Sequence, residues 1–270
     1  MSQTVFITGG ASGIGLHLSK VFYQKGWRVF TTDVDYQGLK KAFEGKSDER
    51  LLIRKLDVRR QANWEKAMLA CEESFGAPDL MLNVAGYLRP GYIAELESAE
   101  IDLHLDINVK GLMLGTLVAA KSMEKSGSGH IINFGSLASL TPVPGLSLYA
   151  ASKFAVRGFA LSTALELKEK NISSTLIMPD AVDTPMLDAQ IDHESAALTF
   201  SGLKTLSVKD IEDALFDHIL VKKPLEYALP SSRGILAKAV SLYPGVANTL
   251  EPLLRKIGKK KQEGIRNKRG

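Results

Sequence analysis

The chain has one cysteine, Cys71, among 270 residues. That excludes an internal disulfide and fits a reducing compartment. Cys71 shares a helical stripe with Trp64, Met68 and Phe75, so a buried core thiol is expected there. No apolar run reaches 18 residues, and no membrane-spanning helix is expected. The first strand-like run starts by Thr4, which leaves no room for a signal peptide and points to a cytoplasmic location. The five histidines, His17, His104, His130, His193 and His218, show no ligand spacing, so no metal site is expected. The net charge of +4 is unevenly spread. Residues 251–270 carry Arg255, Lys256, Lys259, Lys260, Lys261, Arg266, Lys268 and Arg269 against Glu251 and Glu263, a balance of +6 that leaves −2 for the body. Nucleic-acid binding through the fold is therefore not expected.

What is present is a glycine-rich loop in a telling context. Val5-Phe6-Ile7 reads as a buried parallel strand. Thr8-Gly9-Gly10-Ala11-Ser12-Gly13-Ile14-Gly15 follows, and then Leu16, Leu18, Val21 and Phe22 recur at helical spacing. Glycines permit the tight turn and let backbone approach a pyrophosphate, while the helix N-terminus supplies N–H donors and a positive dipole end. A second constellation lies further on. Tyr149 and Lys153 are four residues apart, with Ser136 thirteen residues upstream of the tyrosine. Spacing of i, i+4 puts the phenol and the ammonium on one helical face. A nearby ammonium favours the phenolate, and a hydroxyl from another segment can hold a substrate oxygen beside it.

Thr-Gly-x-x-x-Gly-x-Gly, a serine and Tyr-x-x-x-Lys in this order resemble the short-chain dehydrogenase/reductase family. Three further segments match. Asp57-Val58 closes the third strand, where the family places an Asp beside the adenine. Asn83-Val84-Ala85-Gly86 ends the fourth strand, departing from the family's Asn-Asn-Ala-Gly at Val84. Asn108, within Asp106-Ile107-Asn108-Val109-Lys110-Gly111, matches the helix asparagine of the family's catalytic tetrad. The resemblance covers residues 4–230. It implies an α/β fold with a doubly wound parallel sheet, the Rossmann fold, and reversible hydride transfer between a nicotinamide cofactor and an alcohol or carbonyl carbon. The implied catalytic residues are Asn108, Ser136, Tyr149 and Lys153. The implied cofactor residues are Gly9, Ser12, Gly13, Ile14, Gly15, Asp33, Asp57, Val58, Asn83, Ala85, Gly86, Tyr149, Lys153, Pro179, Val182 and Thr184. In these roles Tyr149 is the base in oxidation and the acid in reduction. Bringing its pKa from near 10 to roughly 7 asks about 4 kcal/mol, for which Lys153 and the oxidised nicotinamide are the expected sources. By resemblance Lys153 also bonds the ribose, Ser136 holds the substrate oxygen, and Asn108 holds a water that relays protons toward Lys153.

Asp33 ends the second strand, eighteen residues after Gly15. An acidic residue there accepts hydrogen bonds from ribose hydroxyls and repels a 2′-phosphate, so NAD is the expected cofactor. Family members that use the phosphorylated form usually carry Arg or Lys near the positions of Ser12 and Val34. A departure follows the sixth strand, where Pro179-Asp180 stands in place of the family's Pro-Gly. Asp180 reads as a solvent-facing turn residue, with a polar group facing substrate or cofactor as the alternative. Leu137, Leu140, Val143, Pro144, Leu146 and Leu148, with Met186 and Leu187, surround the catalytic residues with apolar chemistry. No Arg or Lys stands out there to bind an anionic substrate. A hydrophobic secondary alcohol or ketone of steroid, retinoid or fatty-acyl type is therefore the expected substrate. The alternatives are a 3-oxoacyl thioester reductase and a non-catalytic NAD-responsive binding protein.

Strands are predicted at 4–8, 28–32, 51–56, 79–83, 129–134, 173–178 and 225–229. Helices are predicted at 13–25, 36–44, 61–75, 99–125, 149–170 and 208–221, with short ones near 184–198. By resemblance, 186–206 is a mobile lid, with His193 exposed on it. The catalytic domain spans 1–230, and 231–270 forms an extension. Two short amphipathic helices separated at Tyr243-Pro244-Gly245, followed by a disordered basic end, are expected there. The extension either packs on protein or contacts an anionic membrane surface peripherally. A homodimer or homotetramer is expected through the helices at 99–125 and 149–170. Gly111, Gly115, Ala119 and Ala120 are expected to present the first helix's surface, and Ala155, Phe159 and Leu161 the second's.

Overall fold

In the computed structural model, which describes residues 2–46, 48–243 and 245–269, apolar runs form seven parallel strands. They are β1 (Thr4–Thr8), β2 (Arg28–Asp33), β3 (Leu51–Lys55), β4 (Leu80–Asn83), β5 (Gly129–Phe134), β6 (Ile172–Pro179) and β7 (Glu226–Leu229). Their order across the sheet is β3-β2-β1-β4-β5-β6-β7. The order reverses between β1 and β4, and the crevice beyond the strand ends at such a switch point is where a doubly wound sheet binds its ligand. Alternation along β1 divides the core. Val5 and Ile7 point to one face, with Leu18, Phe22, Ile211 and Leu215. Phe6 points to the other, with Phe30, Trp64, Met81 and Met123. A strand buried on both faces reads as an unbroken apolar run for this reason. Cys71 is fully buried in the second cluster, and burial pushes its thiol up to about 12.

The predicted strands and helices are present within a few residues of their expected ends. The helix Ser98–Ser126 carries 29 residues, and its most apolar 18-residue window has a mean hydropathy of 1.2. Length and composition alone would let it cross a membrane, although polar residues interrupt any continuous apolar run. It lies instead along the sheet, with Ala119 and Met123 fully buried and Gly115 against Trp64 and Asn83. The close approach corrects the expected surface: Gly111, Gly115 and Ala119 face inward, whereas Leu105 and Leu117 are exposed.

The extension departs further from expectation. Helix Ser231–Leu242 is followed by one helix of 25 residues, Gly245–Arg269. The break is where it was expected, although Pro244 lies outside the described residues. The basic end is helical rather than disordered because it has a partner. The long helix packs against the segment Glu194–Ser201. Gln262 donates to the carbonyls of Gln190 (3.0 Å) and His193 (2.8 Å), and Arg266 to that of Ile191 (3.0 Å). A side chain on Gly258 would collide with the Ala197 carbonyl.

Candidate active site

The loop after β1 forms the floor of the switch-point crevice. Gly9 (φ +72°) and Gly13 (φ +52°) hold left-handed conformations, and a Cβ on Gly9 would stand 3.1 Å from Ala85 Cα. Only glycine meets both demands cheaply. Thr8 Oγ1 accepts from the N–H groups of Val84 (3.0 Å) and Ala85 (3.1 Å), tying the loop to the end of β4. Asp33 Oδ2 accepts from Ala11 N–H (3.0 Å) and Oδ1 from Asp35 N–H (2.9 Å). Each oxygen retains capacity for a ligand hydroxyl. The resulting cavity, about 430 Å³, is lined by Gly9, Ser12, Gly13, Ile14, Gly15, Asp33, Asp57, Val58, Ala85, Gly86 and Thr184. A glycine cradle with a fixed carboxylate at the far wall fits a dinucleotide.

Asn83 differs from its expected role, and Arg59 adds to the expected set. Asn83 lines neither this cavity nor the adjoining one. It is buried beneath them, donating to Asn133 Oδ1 (2.9 Å) and Thr116 Oγ1 (3.2 Å), so it braces β4 against β5. Arg59 was not anticipated and does line the dinucleotide cavity. Its guanidinium is held by Asp57 through Nε–Oδ1 (2.9 Å) and Nη2–Oδ2 (2.8 Å), and this pairing lowers the Asp57 carboxyl below its usual range. The Asp-x-Arg spacing was the available signal.

The catalytic residues meet at the mouth of β5. Ser136 caps the single turn Leu137–Ser139, its hydroxyl accepting from Ala138 N–H at 3.2 Å. Helix Ser147–Lys168 presents Tyr149 and Lys153 on one face, with Lys153 Nζ 5.5 Å from the tyrosine ring centroid. Lys153 donates to the Phe134 carbonyl at 2.8 Å. Burial raises Tyr149 to about 12, opposed by its hydrogen bond with Ser136, and lowers Lys153 to about 8. In the chain alone, then, desolvation outweighs the expected help from the lysine. Asn108 lies in a π-helical stretch, His104–Gly111, a distortion frequent at functional sites. Its Oδ1 accepts from Tyr87 N–H (2.7 Å), and its Nδ2 donates to the Tyr87 carbonyl (2.8 Å) and to Ser152 Oγ (3.0 Å). Ser152 in turn donates to the Tyr149 carbonyl at 2.7 Å. Asn108 therefore reaches the tyrosine's backbone through Ser152, a link that sequence spacing did not reveal.

Ser136, Tyr149, Lys153, Pro179 and Val182 line a second cavity, which shares Ile14, Val84, Gly86, Thr184 and Met186 with the first. Its walls include Leu88, Leu137, Val143, Leu146 and Leu187. Asp180 also lines it, in contrast to the solvent-facing turn residue expected. Its side chain is 11% exposed and pairs with Arg233, Nε to Oδ2 at 3.0 Å. Burial raises the Asp180 carboxyl and Arg233 draws it back. An arginine on the wall also corrects the expectation that none would stand there. His193 is exposed as expected.

Cavity, cradle and tyrosine–lysine face agree with the comparisons to known proteins. The family model for short chain dehydrogenase matches residues 3–195, and the chain belongs to that family. It is 33% identical over 187 residues to the 2,5-dichloro-2,5-cyclohexadiene-1,4-diol dehydrogenase LinX of Sphingobium indicum, covering 68% of this chain and 74% of that one. It is 34% identical over 189 residues to the 3-alpha-(or 20-beta)-hydroxysteroid dehydrogenase of Mycobacterium tuberculosis, covering 70% and 72%. Among solved structures, the 3-ketoacyl-(acyl-carrier-protein) reductase of Brucella melitensis complexed with NADH superposes with a TM-score of 0.71 at 26% identity, covering 79% of this chain and 89% of that one. The protein is a short-chain oxidoreductase with a nicotinamide cofactor site.

Proposed function

We propose that the protein interconverts a hydrophobic secondary alcohol and its ketone, with NAD preferred over NADP. One observation carries this reading: the Ser136–Tyr149–Lys153 set opens into a largely apolar cavity continuous with the dinucleotide crevice. Ser136 holds the substrate oxygen and Tyr149 exchanges its proton, as base in oxidation and acid in reduction. Lys153, kept in place by the Phe134 carbonyl, favours the phenolate and would bond the nicotinamide ribose. Asp33 favours the unphosphorylated ribose. A nicotinamide dinucleotide held by the glycine loop and Asp33 would supply reversible hydride transfer at the carbinol or carbonyl carbon. The hydroxysteroid and cyclic diol dehydrogenases among the relatives act on carbocyclic alcohols, which supports this class. The likeness to a 3-ketoacyl reductase keeps the thioester reading as the competitor. Absorbance of reduced cofactor, followed with a panel of hydrophobic secondary alcohols and with 3-oxoacyl thioesters, tests the choice. Turnover of alcohols with NAD is expected. Turnover confined to thioesters with NADPH overturns the reading.

A further inference from the structure

The partly buried pair Asp180–Arg233 joins two parts of the chain that sequence distance separates. Asp180 follows β6 directly, with its N–H on the Leu229 carbonyl at 2.8 Å. Arg233 comes from the first helix of the C-terminal extension. The pair stands at 3.0 Å, and both residues line the cavity that contains Ser136 and Tyr149. The turn at Gly202 closes over it: a Cβ there would stand 2.8 Å from Arg233 Nη1 and 3.1 Å from Asp180 Oδ2. Arg233 Nη2 reaches Ser201 Oγ at 3.5 Å, and Nη1 has no hydrogen-bond partner among the described residues. Gln190 and Thr199 on this wall are already engaged, whereas the Thr141 hydroxyl has no hydrogen-bond partner among the described residues. Gln190 donates to the Met186 carbonyl (2.9 Å) and accepts from Thr199 (2.8 Å).

An ion pair partly withdrawn from water, as this one is, is weak evidence for stability, because desolvation and solvent screening offset much of its attraction. A role in recognition explains its placement better. We propose that Asp180 and Arg233 form a second anchor of the substrate site, binding an uncharged oxygen function, a hydroxyl or ketone, remote from the reacting carbon. The pair is formally neutral, so a carboxylate would meet Asp180 as well as Arg233. A hydroxyl can donate to the carboxylate and accept from the guanidinium, and a ketone can accept from Arg233 alone. The substrate class narrows from hydrophobic alcohol to an apolar skeleton with oxygen at two separated positions. A site built to bond a hydroxyl discriminates strongly against the analogue that lacks it. The inference rests on the reading that this cavity holds the substrate alcohol.

The test uses the full chain with dinucleotide and two ligand pairs: cyclohexane-1,4-diol with cyclohexanol, and androstane-3,17-diol with androstan-3-ol. Calorimetric affinity and kcat/KM are both measured. At least one diol is expected to bind tenfold or more tightly than its partner, with the difference appearing mainly in KM. In Arg233→Met the preference should fall to about parity. Because that change strands a buried carboxylate, the double variant Asp180→Asn/Arg233→Gln is measured beside it, with thermal unfolding to establish folding. Equal affinities within both pairs, failure of all four to bind, tighter binding of a carboxylate analogue, or a preference that survives both variants overturns the anchor. A binding preference without turnover sustains it and instead sinks the proposed reaction.

Discussion

Lys153 Nζ stands 5.5 Å from the centre of the Tyr149 ring while donating to the Phe134 carbonyl at 2.8 Å. The tyrosine sits at about 12 and the lysine at about 8, both displaced by burial toward their neutral forms. Tyr149→Phe should therefore retain fold and dinucleotide binding while turnover falls about 10²- to 10⁴-fold. Lys153→Met should weaken both turnover and dinucleotide affinity. Oxidation uses the phenolate, so its kcat/KM should rise with pH. Reduction uses the phenol and should fall as pH passes the tyrosine's working pKa. A tyrosinate difference titration, wild type against Tyr149→Phe, should place that pKa lower with NAD⁺ bound than without it. An unchanged titration would exclude the cofactor's charge as the activating contribution.

Asp33 leads to a cofactor prediction. Its oxygens are fixed by the Ala11 and Asp35 N–H groups at the edge of the crevice. Catalytic efficiency with NAD should exceed that with NADP by at least about tenfold, equivalent to about 1.4 kcal/mol. Asp33→Arg should reverse the order. Comparable efficiencies in the wild type would remove Asp33 as the selector. Arg59, on the same cavity wall, is paired with Asp57. Replacing Asp57 with Asn should therefore improve use of NADP by freeing that guanidinium.

The strands and the tyrosine–lysine face were legible because each follows from a local pattern: an apolar run, a glycine turn, a spacing of four. Asn83 shows the limit of motif reading, since its place in the segment did not reveal that its side chain points beneath the cavity to Asn133. Arg233 lies 53 residues beyond Asp180, and no period or spacing links them. The helical tail was misread for a related reason. High charge argues for disorder when nothing compensates it, and the compensation here comes from Glu194 against Lys259 and from Asp192 and the Ile191 carbonyl against Arg266, all distant in sequence.

His130 supplies a stability test remote from catalysis. It is 4% exposed between β4 and β6, with Nε2 2.9 Å from Thr175 Oγ1. Burial first, and then the charge of Lys223, lower it from 6.5 to about 4. The unfolded chain thus binds a proton between these values when the folded chain does not. This contribution is present above pH 6.5 and is lost as pH falls toward 4, amounting to about 3 kcal/mol. Urea unfolding at stepped pH should show the loss, and His130→Gln should flatten it. Identical acid slopes would show that other groups govern acid unfolding.

Assembly can be tested on the outer faces of two helices. Leu105, Val109, Met113, Leu117 and Phe159 line an open, largely apolar groove between Ser98–Ser126 and Ser147–Lys168, edged by Asp106, Lys110 and Glu166, and Phe154 is 41% exposed on the second helix. We propose that two copies pair there with closed symmetry, in line with the expectation for these helices. Sedimentation velocity at micromolar concentration should give a dimer or tetramer. Leu117→Glu/Phe154→Glu should shift it toward monomer. A wild-type monomer would rule the interface out.

The last prediction separates two uses of the C-terminal helix. Its inner face is occupied: Gln262 and Arg266 bond the carbonyls of Gln190, His193 and Ile191, Ile265 joins Leu187, Ile191 and Phe200, and Lys259 pairs with Glu194. Lys261 reaches the Gly202 carbonyl, and Arg255 pairs with Glu251 and bonds Tyr92 (2.9 Å). Much of the basic charge expected to face lipid is thus engaged with protein. Leu253, Lys256, Ile257 and Lys260 remain exposed. We propose that the helix acts chiefly as a clamp on the lid. Truncation after Leu242 keeps Arg233 and removes the clamp. It should raise amide exchange across residues 186–206 and raise KM more than it lowers kcat, with no lipid present. Co-sedimentation with anionic vesicles at low salt is the competing measurement, since each basic residue near such a surface adds about 1 kcal/mol. Vesicle binding that vanishes on truncation, with exchange in 186–206 and KM unchanged, would assign the helix to the membrane instead.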